Sequence, residues 1–111
     1  AVQAAGNAWV VGVDTDWTVS SPSYADVIFT SVMKRMDVAV FDTIELASSP
    51  DFESFGGETY VGTLENDGVA IADIADGTVS DDVLSDLDDI RQGIIDGTIN
   101  TGWADYLAGL N

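Results

Sequence analysis

Five apolar residues in a row, Trp9-Val10-Val11-Gly12-Val13, stop abruptly at Asp14-Thr15-Asp16. An unbroken apolar run, rather than strict alternation, is the pattern of a strand covered on both faces, as in a parallel sheet flanked by helices. That points to an α/β architecture. It also says where chemistry would sit. In open α/β sheets ligands bind beyond the carboxyl ends of strands, so acids at 14 and 16 stand where a small molecule would be met.

The rest of the chain continues the α/β pattern. After a polar loop with Pro22, Val27-Ile28-Phe29-Thr30 reads as a second short strand. From 31 to 47 the spacing turns helical, with Met33, Met36, Val40, Phe41, Ile44 and Ala47 on one stripe and Thr30 or Ser31 as N-cap. Ser48-Ser49-Pro50 ends it, and a loop rich in Phe and Gly runs from 51 to 58. Residues 59–64 and 69–72 flank Glu65-Asn66-Asp67-Gly68, which predicts a hairpin. A helix is expected from Ser80 to Asp96, capped by Ser80, with Asp81 and Asp82 facing the positive end of its dipole and Gly97 stopping it. Its apolar face is Val83, Leu87, Ile90 and Ile94; Trp103, Tyr106, Leu107 and Leu110 form a last amphipathic turn. The opening Ala1 to Asn7 reads as the last turn of a helix entering a Gly/Asn cap, so the chain is expected to be a C-terminal portion of a longer polypeptide. The elements ask for a sheet contributed by other residues.

Charge narrows function. Three cations face 20 acids, for a net charge of −17, which opposes binding to nucleic acid or to an anionic membrane surface. The acids are scattered, 16 Asp to 4 Glu, in the manner of a surface kept soluble in high salt, where the Debye length falls to about 3 Å at 1 M. The charge is therefore read as a salt-adapted habitat; a specific cation-binding surface is the alternative. With no Cys and no His, thiol chemistry, thiolate zinc sites and imidazole bases are excluded within this chain. No run reaches the length of a membrane span and no signal sequence opens the chain.

Two groups could carry function. Asp14 and Asp16 are acceptor-only groups suited to a sugar diol; as solvated loop acids in an Asp-rich chain they would do nothing. Lys34 is the only lysine, and in the first turn of the expected helix it would oppose the macrodipole. Its retention there implies a partner, either Asp14 or a ligand hydroxyl. A surface lysine beside Arg35, balancing Asp37, is the plainer alternative.

Val10-Val11-Gly12-Val13-Asp14-Thr15-Asp16 and Thr30-Ser31-Val32-Met33-Lys34-Arg35-Met36-Asp37-Val38-Ala39-Val40-Phe41-Asp42 resemble the C-terminal part of the basic membrane protein family. So do Gly62-Thr63-Leu64-Glu65-Asn66-Asp67-Gly68-Val69 and Ile90-Arg91-Gln92-Gly93-Ile94-Ile95-Asp96-Gly97, and together they cover Val10 to about Ile99. These are substrate-binding lipoproteins of ABC transporters, several of them resembling purine nucleoside receptors. The resemblance implies a periplasmic-binding-protein type I fold: two α/β lobes with a parallel-sheet core and a hinge crossing, in chains much longer than this one. Within it, 1–26 would be a second-lobe strand and loop. Residues 27–99 would hold the hinge crossing, helix, hairpin and C-terminal helix, with 100–111 as a tail. The whole of 1–111 would then be a C-terminal portion of such a domain.

Carried over by position, the resemblance places Asp14 and Lys34 on the ribose, with Asp16 and Trp17 as further candidate ligand contacts. It implies no cofactor, no metal and no catalysis. The partners would be a nucleoside-like solute, the permease subunits and the remainder of the receptor chain, with no nucleic acid. The location would be extracytoplasmic, lipid-anchored through a segment outside this chain. Two departures stand out: Trp17 replaces the family's usual Gln, and Asp67-Gly68-Val69-Ala70 replaces Gly-Gly-Val-Gly.

A rival from another class is an enzyme. Asp14-Thr15-Asp16-Trp17-Thr18 after an apolar strand also resembles haloacid-dehalogenase-like phosphatases, with Asp14 as nucleophile, Asp16 as general acid/base and Mg²⁺ as cofactor. For that chemistry Lys34 comes too soon, and Asp81-Asp82 and Asp88-Asp89 fall within a helical pattern. A calcium loop starting at Asp14 lacks the Gly and Glu that an EF-hand requires.

Overall fold

Strand β1 (Val10–Asp14) lies parallel to β2 (Ile28–Lys34) in a computed structural model that describes residues 1–50, 53 and 56–109. β3 (Val69–Ile71) pairs antiparallel on the other side of β2, giving a mixed sheet of order β1-β2-β3. The chain divides into two units, Ala1–Thr78 and Val79–Asn111. The first is a small α/β unit, as expected.

Helix α1 (Val2–Ala5) ends on Gly6 at φ 69, the cap foreseen from Gly6-Asn7. Between β1 and β2 the chain forms α2 (Trp17–Ser20) and a 3₁₀ turn (Pro22–Val27), with Pro22 supplying a preset φ at its start. Helix α3 (Met36–Ala47) follows β2.

Three expectations give way here. The second strand does not stop at Thr30: it continues to Lys34, and the helix starts at Met36 with Arg35 as an N-cap lacking a side-chain bond. Thr30 and Ser31 are therefore central-strand residues rather than caps. Ile28, Thr30 and Val32 alternate along β2, as β-branched residues on a pleated strand do. Burying hydroxyls there is tolerable because both have partners: Thr30 Oγ1 donates to the Ala72 carbonyl at 2.7 Å, and Ser31 Oγ accepts from the Trp17 amide at 3.0 Å. Lys34 consequently ends a strand, and the dipole opposition expected of a first-turn lysine does not arise.

The hairpin is the second correction. The turn exists, but 59–63 form no strand, and β3 pairs with β2 instead. Asn66 is the cause. Its side chain accepts from the amides of Thr63 and Gly68 and donates to the Val61 carbonyl, holding the segment as a closed turn rather than a ladder. Gly62 and Gly68 meet so closely that a Cβ on Gly68 would lie 2.4 Å from the Gly62 Cα.

The third concerns burial. Of β1 only Gly12 is buried, while Val11 and Val13 are 49% and 58% exposed. The core is the central strand with its neighbour, Ile28, Thr30, Ser31 and Ala72. Helix α3 buries none of its residues, and Val40, Phe41 and Ile44 point outward. Covering both faces of a strand takes packed layers, and the described residues of this unit do not supply them.

In the second unit α4 (Asp81–Ile95) has Ser80 at its N-cap in extended backbone, without a side-chain bond, and Asp81 and Asp82 in its first turn. It closes at Asp96 and Gly97 (φ 72), after which the Ile99 amide and Thr98 hydroxyl both bond the Gly93 carbonyl. Helix α5 (Trp103–Ala108) stacks Trp103 on Tyr106 at 5.6 Å between ring centroids. Leu110, and residues 51, 52, 54 and 55 of the expected Phe/Gly loop, lie outside the described residues.

Candidate functional site

The carboxyl ends of β1 and β2 are adjacent in parallel register, with Asp14 opposite Met33. Off these ends lies a cleft of about 720 Å³, within the size range of small-molecule sites. Its wall includes Asp14 and Asp16 from the loop after β1, Lys34 from the end of β2, and Arg35, Met36 and Asp37 from the start of α3. A second cavity of about 550 Å³ shares Asp14, Met33, Lys34, Arg35 and Met36 and is completed by Val13, Val32, Tyr60, Gly62 and Val69. Asp14 and Lys34 thus border both spaces.

The two charges are not an ion pair. Among the described residues, neither the Asp14 carboxylate nor the Lys34 ammonium has a recorded hydrogen-bond or ion-pair partner. Both are exposed, so their groups are available to a third party.

Arg35 is engaged instead with Asp37. Its Nη2 lies 2.8 Å from Oδ2 and its Nε donates to Oδ1 at 3.0 Å. The hydrogen bond from the Arg35 guanidinium holds the Asp37 carboxyl down at about 2, against the upward push of desolvation, and the same bond raises Arg35. That leaves Lys34 as the unpaired cation among the described residues of a cleft that Asp14 and Asp16 also line.

Asp14 has a second peculiarity. Its φ is 73°, in the left-handed region, where a non-glycine residue is uncommon although Asp is among the better tolerated. Asp16 is the N-cap of α2, its Oδ1 accepting from the Thr18 amide at 2.9 Å and the Thr18 hydroxyl at 2.7 Å. It reaches the cleft with one oxygen already committed. Trp17 lines neither cavity. Its indole N–H donates to the Val13 carbonyl at 3.1 Å and its backbone amide to Ser31 Oγ, so it is bound into the loop that carries Asp14.

Asp14, Asp16 and Lys34 line one cleft, and four further residues that shape it were not legible in the sequence. In the sequence, Arg35 and Asp37 stand out only as neighbours of a surface Lys34 that would balance Asp37. Ser31 was hidden by its assignment as a cap, although a small polar residue inside an apolar β-branched run marks a buried hydrogen bond. Tyr60, whose hydroxyl donates to Asp42 at 2.8 Å and ties the cavity wall to α3, was assigned to a strand; that bond raises the phenol. Among the described residues no group of three or more acidic side chains is gathered to hold a metal ion. Nor is any helix among them long and apolar enough to cross a membrane.

No family model matches the chain. Among curated proteins it is similar to a CD4+ T-cell-stimulating antigen of Listeria monocytogenes, 36% identical over 97 residues, and to the protein of the same name in Listeria innocua, 35% identical over 97 residues. In both cases the match takes in 82% of this chain but 26% of the relative. The names describe an immune property, T-cell stimulation, and no ligand. The chain spans about a quarter of the length of the curated relatives it matches.

Proposed function

We propose that the chain is the C-terminal part of the extracytoplasmic solute-binding component of an ABC transporter, a periplasmic-binding-protein type I receptor that takes a purine nucleoside or similar small solute in a cleft between lobes. One observation carries this: a carboxylate and an ammonium without partners among the described residues, Asp14 and Lys34, wall the same cleft at the ends of neighbouring parallel strands. Asp14 would accept from the ribose hydroxyls, and Lys34 would donate to the same sugar, its stem beside Met36 on the cleft wall. Asp16 is a secondary contact. The reaction is binding and release; no bond is made or broken.

The apolar surfaces of β1 and α3 support a larger receptor, whose remaining chain would cover them. The far greater length of the Listeria relatives supports it too. A lipid anchor upstream and permease subunits as partners belong to the same proposal. Every described acid except Asp16 and Asp42 is exposed, and a salt-adapted setting, in which their repulsion would be screened, belongs to the same proposal.

Titration calorimetry of the full-length protein with inosine tests the reading. Asp14→Asn and Lys34→Met each remove a charged-group hydrogen bond, a loss of about 1.5–3 kcal/mol, or roughly tenfold to over a hundredfold in affinity. Unchanged inosine affinity in Asp14→Asn would by itself overturn the reading.

A further inference from the structure

We propose that Trp17 and Ser31 are positioning residues that hold Asp14 in its cleft-lining conformation; this rests on the receptor reading of the cleft. Asp14 has a left-handed φ of 73° but, among the described residues, no recorded hydrogen bond on its carboxylate to stabilise it. The conformation must then be imposed from its flanks.

Both flanks are tied by one residue. On the amino side the Trp17 indole N–H donates to the Val13 carbonyl at 3.1 Å, fixing the peptide plane about which the Asp14 φ turns. On the carboxyl side the Trp17 amide donates at 3.0 Å to Ser31 Oγ, whose residue is wholly buried in the central strand. Gly12 makes the space. A Cβ there would sit 2.6 Å from the Trp17 Cγ and 2.3 Å from Ser31 Oγ, closer than real Cβ contacts come. Asp16 completes the turn by capping α2. Because Trp17 lines neither cavity, it acts on a solute through Asp14 and not by touching it.

A double-mutant cycle in the full-length protein separates these roles, with inosine as the titrant. Trp17→Phe keeps a ring and removes the indole donor; it weakens inosine about three- to tenfold, the size of one neutral hydrogen bond. In an Asp14→Asn background the same change has no further effect, since the carboxylate it positions is gone. Ser31→Ala, which removes the other anchor, follows the same pattern and serves if Trp17→Phe does not fold. The Asp14 amide–Hα coupling constant, a direct reporter of φ, changes in either variant. Unchanged affinity in Trp17→Phe and Ser31→Ala overturns the proposal, and so does a loss that simply adds to that of Asp14→Asn. An Asp14→Asn variant that binds inosine as the wild type does would instead overturn the receptor reading itself.

Discussion

Replacing Asp14 by Gly and by Ala separates the strain in the loop from the chemistry of the carboxylate. In an ordinary strand position Gly is less stable than Ala by about 0.5–1 kcal/mol, because it loses more backbone freedom on folding. At Asp14 the backbone lies at φ 73°, where a Cβ costs roughly 1–2 kcal/mol and Gly escapes that cost. The two terms oppose, and the net is about 0–1.5 kcal/mol, centred on roughly 0.75 kcal/mol, in favour of Asp14→Gly over Asp14→Ala. Val11, in the same strand and outside the left-handed region, supplies the control: there Ala should be the more stable replacement. Urea unfolding of the full-length protein reads the difference, provided the slopes agree. Binding should not distinguish the two Asp14 variants. Both lose the carboxylate, so both should lose inosine affinity by the same factor, about tenfold to a hundredfold. An Asp14→Ala variant at least as stable as Asp14→Gly would refute the strain, and with it the need for anything to hold the loop.

Two further outcomes follow from the geometry. Gly68→Ala places a Cβ 2.4 Å from the Gly62 Cα, so denaturant unfolding should show a loss of about 1–3 kcal/mol, as overpacked sites do; a neutral substitution would mean the two segments are not in contact. Asp37 titrates near 2 instead of its ordinary 3.8 because Arg35 hydrogen-bonds the carboxylate. A carboxyl lowered on folding adds stability above its ordinary value and loses it as pH falls through about 2. NMR titration of the Asp37 carboxyl should find that midpoint and see it rise in Arg35→Gln; a midpoint near 3.8 in the wild type contradicts the pairing.

What could be read from the chain, and what could not, divides along the range of the interactions involved. The run ending at Asp14 announced a strand and its carboxyl end because a short apolar stretch broken by acids is the pattern of a strand leaving a sheet for solvent. Asp14 and Lys34 line the same cleft, although Lys34 ends a strand instead of opening a helix. The error at 31–35 is physical: Met33 and Met36 are three apart, which imitates a helical stripe, and Thr30 and Ser31 look like caps. What decides for the strand is that the Ala72 carbonyl and the Trp17 amide satisfy those two hydroxyls, and neither partner is local. The hairpin failed for a similar reason. Asn66 closes the turn with its side chain, and β2 competes for β3 more effectively than 59–63 does. The left-handed backbone of Asp14 left no mark beyond an Asp at a strand end, a residue type that tolerates the region. The role of Trp17 was likewise concealed, since its two hydrogen bonds depend on Gly12 leaving room for the indole.

The most direct measurement compares inosine with 2′,3′-dideoxyinosine by titration calorimetry, in the wild-type full-length protein and in Asp14→Asn. If Asp14 accepts from the sugar hydroxyls, deleting them weakens binding to the wild type by about tenfold or more, and the difference largely disappears in Asp14→Asn. Equal binding of the two nucleosides by the wild type, or an undiminished preference in Asp14→Asn, would contradict the assignment of this cleft to the sugar.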